Sequence, residues 1–172
     1  MKKLLLIISL LFISNSYSQD LSSVYRQVEE ITLKEGVTEK EYLEFESFWK
    51  TVKEKHVKEG KQIGWFVWKV DQTSNDNNAW ADYIILNVFA NKQQMDQMMS
   101  KSSDWYVGEI NKAHKGKTKR STIKKYIRET LNNKYRAKSV TYNNKGLAGF
   151  LAEGAAPEKG ITGYYHGIEQ LN

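Results

Sequence analysis

Two apolar runs, 63–70 and 80–89, constrain the fold of this chain more than any other feature, because each is apolar on both parities. In the first, Ile63, Trp65 and Val67 alternate with Phe66, Trp68 and Val70; in the second, Ile84, Leu86 and Val88 alternate with Tyr83, Ile85 and Phe89. Neighbouring strand residues point to opposite faces, and a sheet with one wet face alternates apolar with polar. Both faces of these two strands therefore need a cover. The polar residues 71–78 between them are turn-forming, so the pair is predicted to be a strand, a hairpin loop and a strand.

The flanking segments supply the rest. Residues 22–33, rich in Val, Tyr, Ile, Thr and Leu and closed by Gly36, predict a first strand. Thr38 followed three residues later by Glu41 has capping-box spacing and predicts a helix start. Tyr42, Phe45, Trp49, Val52 and His56 then recur at steps of three and four down to about Lys58, with Gly60 as the stop. Shorter helices are predicted over 92–100, 105–114 and 121–132, and a last strand over 135–142. After Asn143 the pattern dissolves. Six of the eleven glycines and the only proline fall in the last thirty residues, which predicts an extended tail over 144–172 with a short strand at 161–165.

The N-terminus reads Met1-Lys2-Lys3, then ten mostly apolar residues, then Ser16-Tyr17-Ser18. This is the order of a cleavable export signal over 1–18, and the apolar run is half the length a membrane span needs. Export to the periplasm or beyond is expected, with a single domain over 19–143 and no membrane span after cleavage. N-terminal sequencing of exported protein is expected to begin at or near Gln19; an intact Met1 recovered from a membrane fraction would overturn this. The absence of cysteine excludes a lipidated cysteine, disulfides, thiolate metal sites and cysteine nucleophiles.

Losing Lys2 and Lys3 lowers the formal charge from +6 to +4. The surplus is local: Lys112, Lys115, Lys117, Lys119, Arg120, Lys124, Lys125 and Arg128 occur with no acid between them. Such a run can attract polyanions or simply be a solvated face. An exported protein makes nucleic acid a poor partner, which leaves anionic envelope glycans as the alternative.

The element order, strand, helix, two strands, a helical region and a strand, predicts an α+β ferredoxin-like βαββαβ fold with an antiparallel sheet and helices on one face. Because one sheet face then lacks a cover, a sheet-to-sheet homodimer is expected. The strand and turn 24–36, the long helix with Tyr42, Phe45 and Trp49, and the Gly64-Trp65-Phe66 hairpin resemble the dimeric α/β-barrel superfamily. In particular, they resemble its antibiotic-biosynthesis-monooxygenase-like proteins, which include exported, uncharacterised bacterial members. The likeness spans 22–142 and is one of fold, not of catalytic motif. The Asn, Trp and His set of the superfamily's haem-degrading members has no counterpart here. The resemblance implies a cavity between helix and sheet, lined by Trp, Tyr and polar residues as in cofactor-free oxygenases. Trp49, Trp65, Trp68 and Trp105 are candidate lining residues, or alternatively core and interface.

His56 lies on the apolar stripe of the long helix, where a histidine is either a proton acceptor or a hydrogen-bonded boundary residue. Asp82, Asn87 and Lys69 interrupt the central strands, and Arg26 and Glu30 the first; buried, such groups must pair or face a cavity. His56, Asp82 and Asn87 are thus the candidate catalytic set. Glu29 and Glu30 are strand neighbours and point apart. His114 and His166 form no metal pair, and no Gly-rich phosphate loop or nucleophile elbow is present, so no metal or cofactor is expected. Three functions remain: a small-molecule-binding or stress-related protein for an apolar or aromatic ligand, a cofactor-independent monooxygenase- or isomerase-like enzyme using His56, or an envelope module binding anionic glycans.

Overall fold

A computed structural model of the protein describes residues 23–70 and 81–147. The expected signal segment, the loop over 71–78, Trp80 and most of the tail, with the strand over 161–165 and His166, lie outside the described residues. The elements run β1 (Tyr25–Leu33), α1 (Glu39–Lys58), β2 (Gly64–Lys69), β3 (Tyr83–Phe89), α2 (Lys92–Met99), α3 (Ser103–His114), α4 (Arg120–Leu131) and β4 (Arg136–Lys145). The four strands form an antiparallel sheet in the order β2-β3-β1-β4. This is the split βαβ arrangement predicted from element order, with three short helices in place of the second helix.

Local chemistry sets the ends of α1. Thr38 caps its first turn through the Glu41 amide while the Glu41 side chain returns to the Thr38 backbone, a complete capping box. Gly60 at φ +68° then reverses the chain, a left-handed conformation that glycine adopts without steric cost. Tyr42, Phe45, Phe48 and Val52 are buried on the helix face that packs against Ile31, Tyr83 and Ile85 of the sheet. Tyr126 and Ile123 of α4 and Ile110 and Ala113 of α3 complete that core. A smaller cluster joins Phe89 to Met95 and Met98, with Tyr25 and Trp105 at its edge.

Every sheet residue in these two clusters, from Tyr25 and Ile31 to Trp65, Val67, Tyr83, Ile85 and Phe89, is odd-numbered, so the described helices cover one face. The even-numbered residues, among them Phe66, Trp68, Leu86, Val88 and Tyr142, form the opposite face. Phe66 and Tyr142 there are 37% and 42% exposed, whereas Val28 and Ile84 on the same face are buried.

β4 continues to Lys145, past the expected end at Tyr142 and across the expected domain boundary at Asn143. It is an edge strand paired to β1 along its length, and most of its side chains are exposed, so backbone pairing extends it where no apolar pattern marks it. Its register shifts between Thr32 and Leu33. Without that irregularity, Ala137 would stand opposite Leu33. With it, Arg136 does, and an even-numbered residue turns toward the helices.

Candidate functional site

The helices and the odd face of the sheet line a half-open cavity of about 440 Å³. α1 contributes Phe45, Trp49 and Lys53, spaced by four and therefore stacked on successive turns. Tyr106, Val107 and Ile110 of α3 and Ile127 of α4 form another wall, and Trp65 and Ile85 part of the floor. The rings interlock: Trp49 meets Tyr106 edge-on at 6.4 Å, and Phe45 lies 4.5 Å from Tyr135. These walls are apolar and aromatic.

A connected set of polar groups crosses the sheet beneath them. Arg136 Nη1 donates to Glu29 Oε2 at 2.9 Å and its Nη2 approaches Glu46 Oε1 at 3.4 Å. Asn87 Nδ2 donates to both Glu29 Oε1 (3.1 Å) and Gln27 Oε1 (3.2 Å). That use of the amide nitrogen turns Asn87 Oδ1 toward Lys53, whose Nζ donates to it at 2.8 Å. Burial pulls the Lys53 ammonium down to about 8, against the opposing pull of Glu29 and Glu46 and with a further push from Arg136. Burial pushes the Glu46 carboxyl up, and Arg136 restrains the rise.

Of the catalytic and pocket-lining candidates named from the sequence, Asn87, Trp49 and Trp65 line this cavity. Trp68 lies on the opposite face of the sheet, in register with Ile84. Trp105 packs on His56 at 5.4 Å and on Tyr106 at 5.0 Å instead of lining the cavity. His56 is fully buried against α3, its Nε2 3.4 Å from Glu109 Oε2. Burial, with Lys53 and Lys61 nearby, lowers its imidazole to about 4. Asp82 is exposed and structural: its carboxylate accepts the Leu33 amide at 2.8 Å, beside the turn that leads into α1. His56 lies eighteen residues along from the Thr38 cap, roughly 27 Å at 1.5 Å per residue. His56 and Asp82 therefore do not meet, and neither shares the Asn87 network.

The other interrupting polar residues have local roles. Lys69 pairs with Glu39 at 3.0 Å, and Glu30, on the even face, has its carboxyl pushed up by burial against the pull of Lys138. The eight basic residues of 112–128 are all exposed; Lys112 pairs with Glu109 at 3.0 Å and Lys125 lies over Tyr126. Among the described residues no group of His, Asp and Glu is placed to hold a metal ion, and no described helix is long and apolar enough to cross a membrane.

No protein-family model matches the sequence, and no curated protein does. Among solved structures, the chain is similar to a crystal structure of the Arabidopsis thaliana protein At3g17210, at 13% identity and TM-score 0.48 over 74% of this chain and 99% of that one. A solution structure of the same plant protein matches at 13% identity and TM-score 0.46, over 80% and 100%. A dimeric protein of unknown function and ferredoxin-like fold from Bacteroides fragilis matches at 10% identity and TM-score 0.42, over 72% and 96%.

Proposed function

We propose that this chain is an exported protein that binds an apolar or aromatic small molecule in the cavity between its helices and its sheet, and that it does so as a sheet-to-sheet homodimer. The observation that carries the binding reading is the cavity itself. Its volume of about 440 Å³ falls within the roughly 300 to 1,000 Å³ usual for small-molecule sites. Its make-up fits as well, with aromatic walls and a few converging polar groups that can orient a ligand's polar end. The dimer reading rests on the even face, where Phe66, Trp68, Leu86 and Tyr142 have no described helix over them. A proton relay through His56 and Asp82 is not part of the proposal, because those residues stand apart.

Titration with 2-naphthol is expected to change tryptophan emission saturably, since Trp49 and Trp65 line the cavity. Val107→Trp fills the space from α3 and is expected to weaken that binding at least about tenfold, a loss of about 1.4 kcal/mol, with the unfolding transition retained. Unsaturable titration, or full affinity in a folded Val107→Trp variant, would sink the reading.

A further inference from the structure

Lys53 lines the cavity and carries an amine whose chemistry goes beyond orienting a ligand. Lysine carries three N–H donors, and among the described residues the Nζ of Lys53 donates to one neutral partner, Asn87 Oδ1 at 2.8 Å. Two other lysines of the same helix have acidic partners: Lys50 lies within ion-pair reach of Glu54, and the half-buried Lys55 pairs with both Glu59 and Glu109. The Lys53 amine also faces a cavity walled by rings, where an apolar molecule would sit within reach.

We propose that Lys53 captures the carbonyl of an aldehyde or ketone with an apolar body, forming an imine inside the cavity. The neutral amine attacks the carbonyl carbon, and the carbonyl oxygen takes a proton from solvent. The carbinolamine then loses that oxygen as water, leaving a C=N bond. The sum is ammonium plus carbonyl giving iminium plus water, with nothing oxidised or reduced. The iminium keeps the positive charge that the ammonium held, and the Glu29 carboxylate, fixed by Arg136 at 2.9 Å and joined to Lys53 through Asn87, offsets it. A lysine desolvated in an apolar site is the form in which this side chain acts as a nucleophile. With its ammonium lowered to about 8, about a tenth of Lys53 is neutral at pH 7, far more than for a solvated lysine. The charged groups around it are Glu29 from β1, Arg136 from β4 and Glu46 from its own helix, with His56 one turn on.

The inference rests on the cavity binding an apolar molecule, so its test separates the two claims. The full-length protein is incubated with 2-naphthaldehyde, reduced with borohydride and mapped by peptide mass spectrometry, with 2-naphthol binding measured in parallel. The expected result is one reduced adduct on Lys53, formed faster than on the exposed Lys50 and Lys58, at a rate that climbs through pH 8. Lys53→Arg is expected to lose the adduct; the wild-type map, read beside wild-type 2-naphthol binding, stands even if that variant fails to fold. Saturable 2-naphthol binding with labelling spread over exposed lysines and Lys53 spared would overturn the imine and leave the pocket standing. Absence of both adduct and 2-naphthol binding would overturn both.

Discussion

Trp68→Glu is expected to turn a wild-type dimer into a folded monomer at micromolar concentration, while Trp65→Glu disrupts the domain itself. The two residues are three apart on one strand but occupy opposite faces. Trp65 packs against the main core and forms part of the cavity floor. A carboxylate there is forced into a cavity that Glu29 and Glu46 already line, and loss of the indole adds a truncation cost of about 3 to 5 kcal/mol. That is a large part of the 5 to 15 kcal/mol, roughly, that holds a domain together. Trp68 belongs to no described core cluster and shares the even face with Phe66, Leu86 and Tyr142. Each such large side chain gains about 1.5 to 3 kcal/mol on full burial, so several meeting a second copy suffice to hold a dimer, and one buried charge suffices to break it. Sedimentation velocity with near-UV circular dichroism reads both outcomes. A wild-type chain that stays monomeric, or a Trp68→Glu chain that stays dimeric, refutes the assembly.

How far the sequence carries is visible in these two tryptophans. Their opposite parity, and the need to cover both faces, follow from the apolar runs alone; which parity meets the helices needs the third dimension. The stripe on α1 was legible for the same reason, a periodicity of three and four read against a sheet. Lys53 was missed although it continues the spacing of Phe45 and Trp49, because a lysine on a helix is usually solvated and spacing alone does not report a cavity above it. Glu29 shares parity with Gln27 and Ile31, a signal that was available once the core face of β1 was known. Arg136 was not legible at all: its turn toward the helices depends on the register shift opposite Leu33. His56 was placed correctly on the buried stripe, but at that depth the helix meets α3 rather than the sheet. Its partners are consequently Trp105, Tyr106 and Glu109.

That environment makes His56 an acid-sensitive element of the fold. The side chain is 0% exposed, its ring nitrogens make no hydrogen bond among the described residues, and Lys53, Lys55 and Lys61 surround it with positive charge that Glu109 only partly offsets. The folded protein therefore holds His56 neutral down to about pH 4, while the unfolded chain binds the proton near 6.5. A folded-state value below the unfolded one means stability that is present above pH 6.5 and lost as pH falls toward 4. At about 1.4 kcal/mol per tenfold displacement of proton binding, His56 accounts for a loss on the order of 3 kcal/mol across that window. His114, buried and stacked on Phe48 at 4.0 Å, is lowered as well by burial and adds to the loss in the same direction. Glu109 acts later. Burial raises its carboxyl, but hydrogen bonds from Lys61, Lys112 and Lys55 outweigh this and hold it at about 2, so its contribution is lost only below about pH 4.5. His56→Met keeps an apolar side chain of similar length that cannot titrate. Urea unfolding at pH 7, 5.5 and 4 is expected to show the variant losing roughly 3 kcal/mol less than wild type between pH 7 and 4, with the two converging in slope below that. Direct NMR titration of the His56 ring checks the premise independently of the variant. A ring that titrates near 6.5 in the folded protein, or identical pH dependence in the two chains, would show that Glu109 neutralises the site.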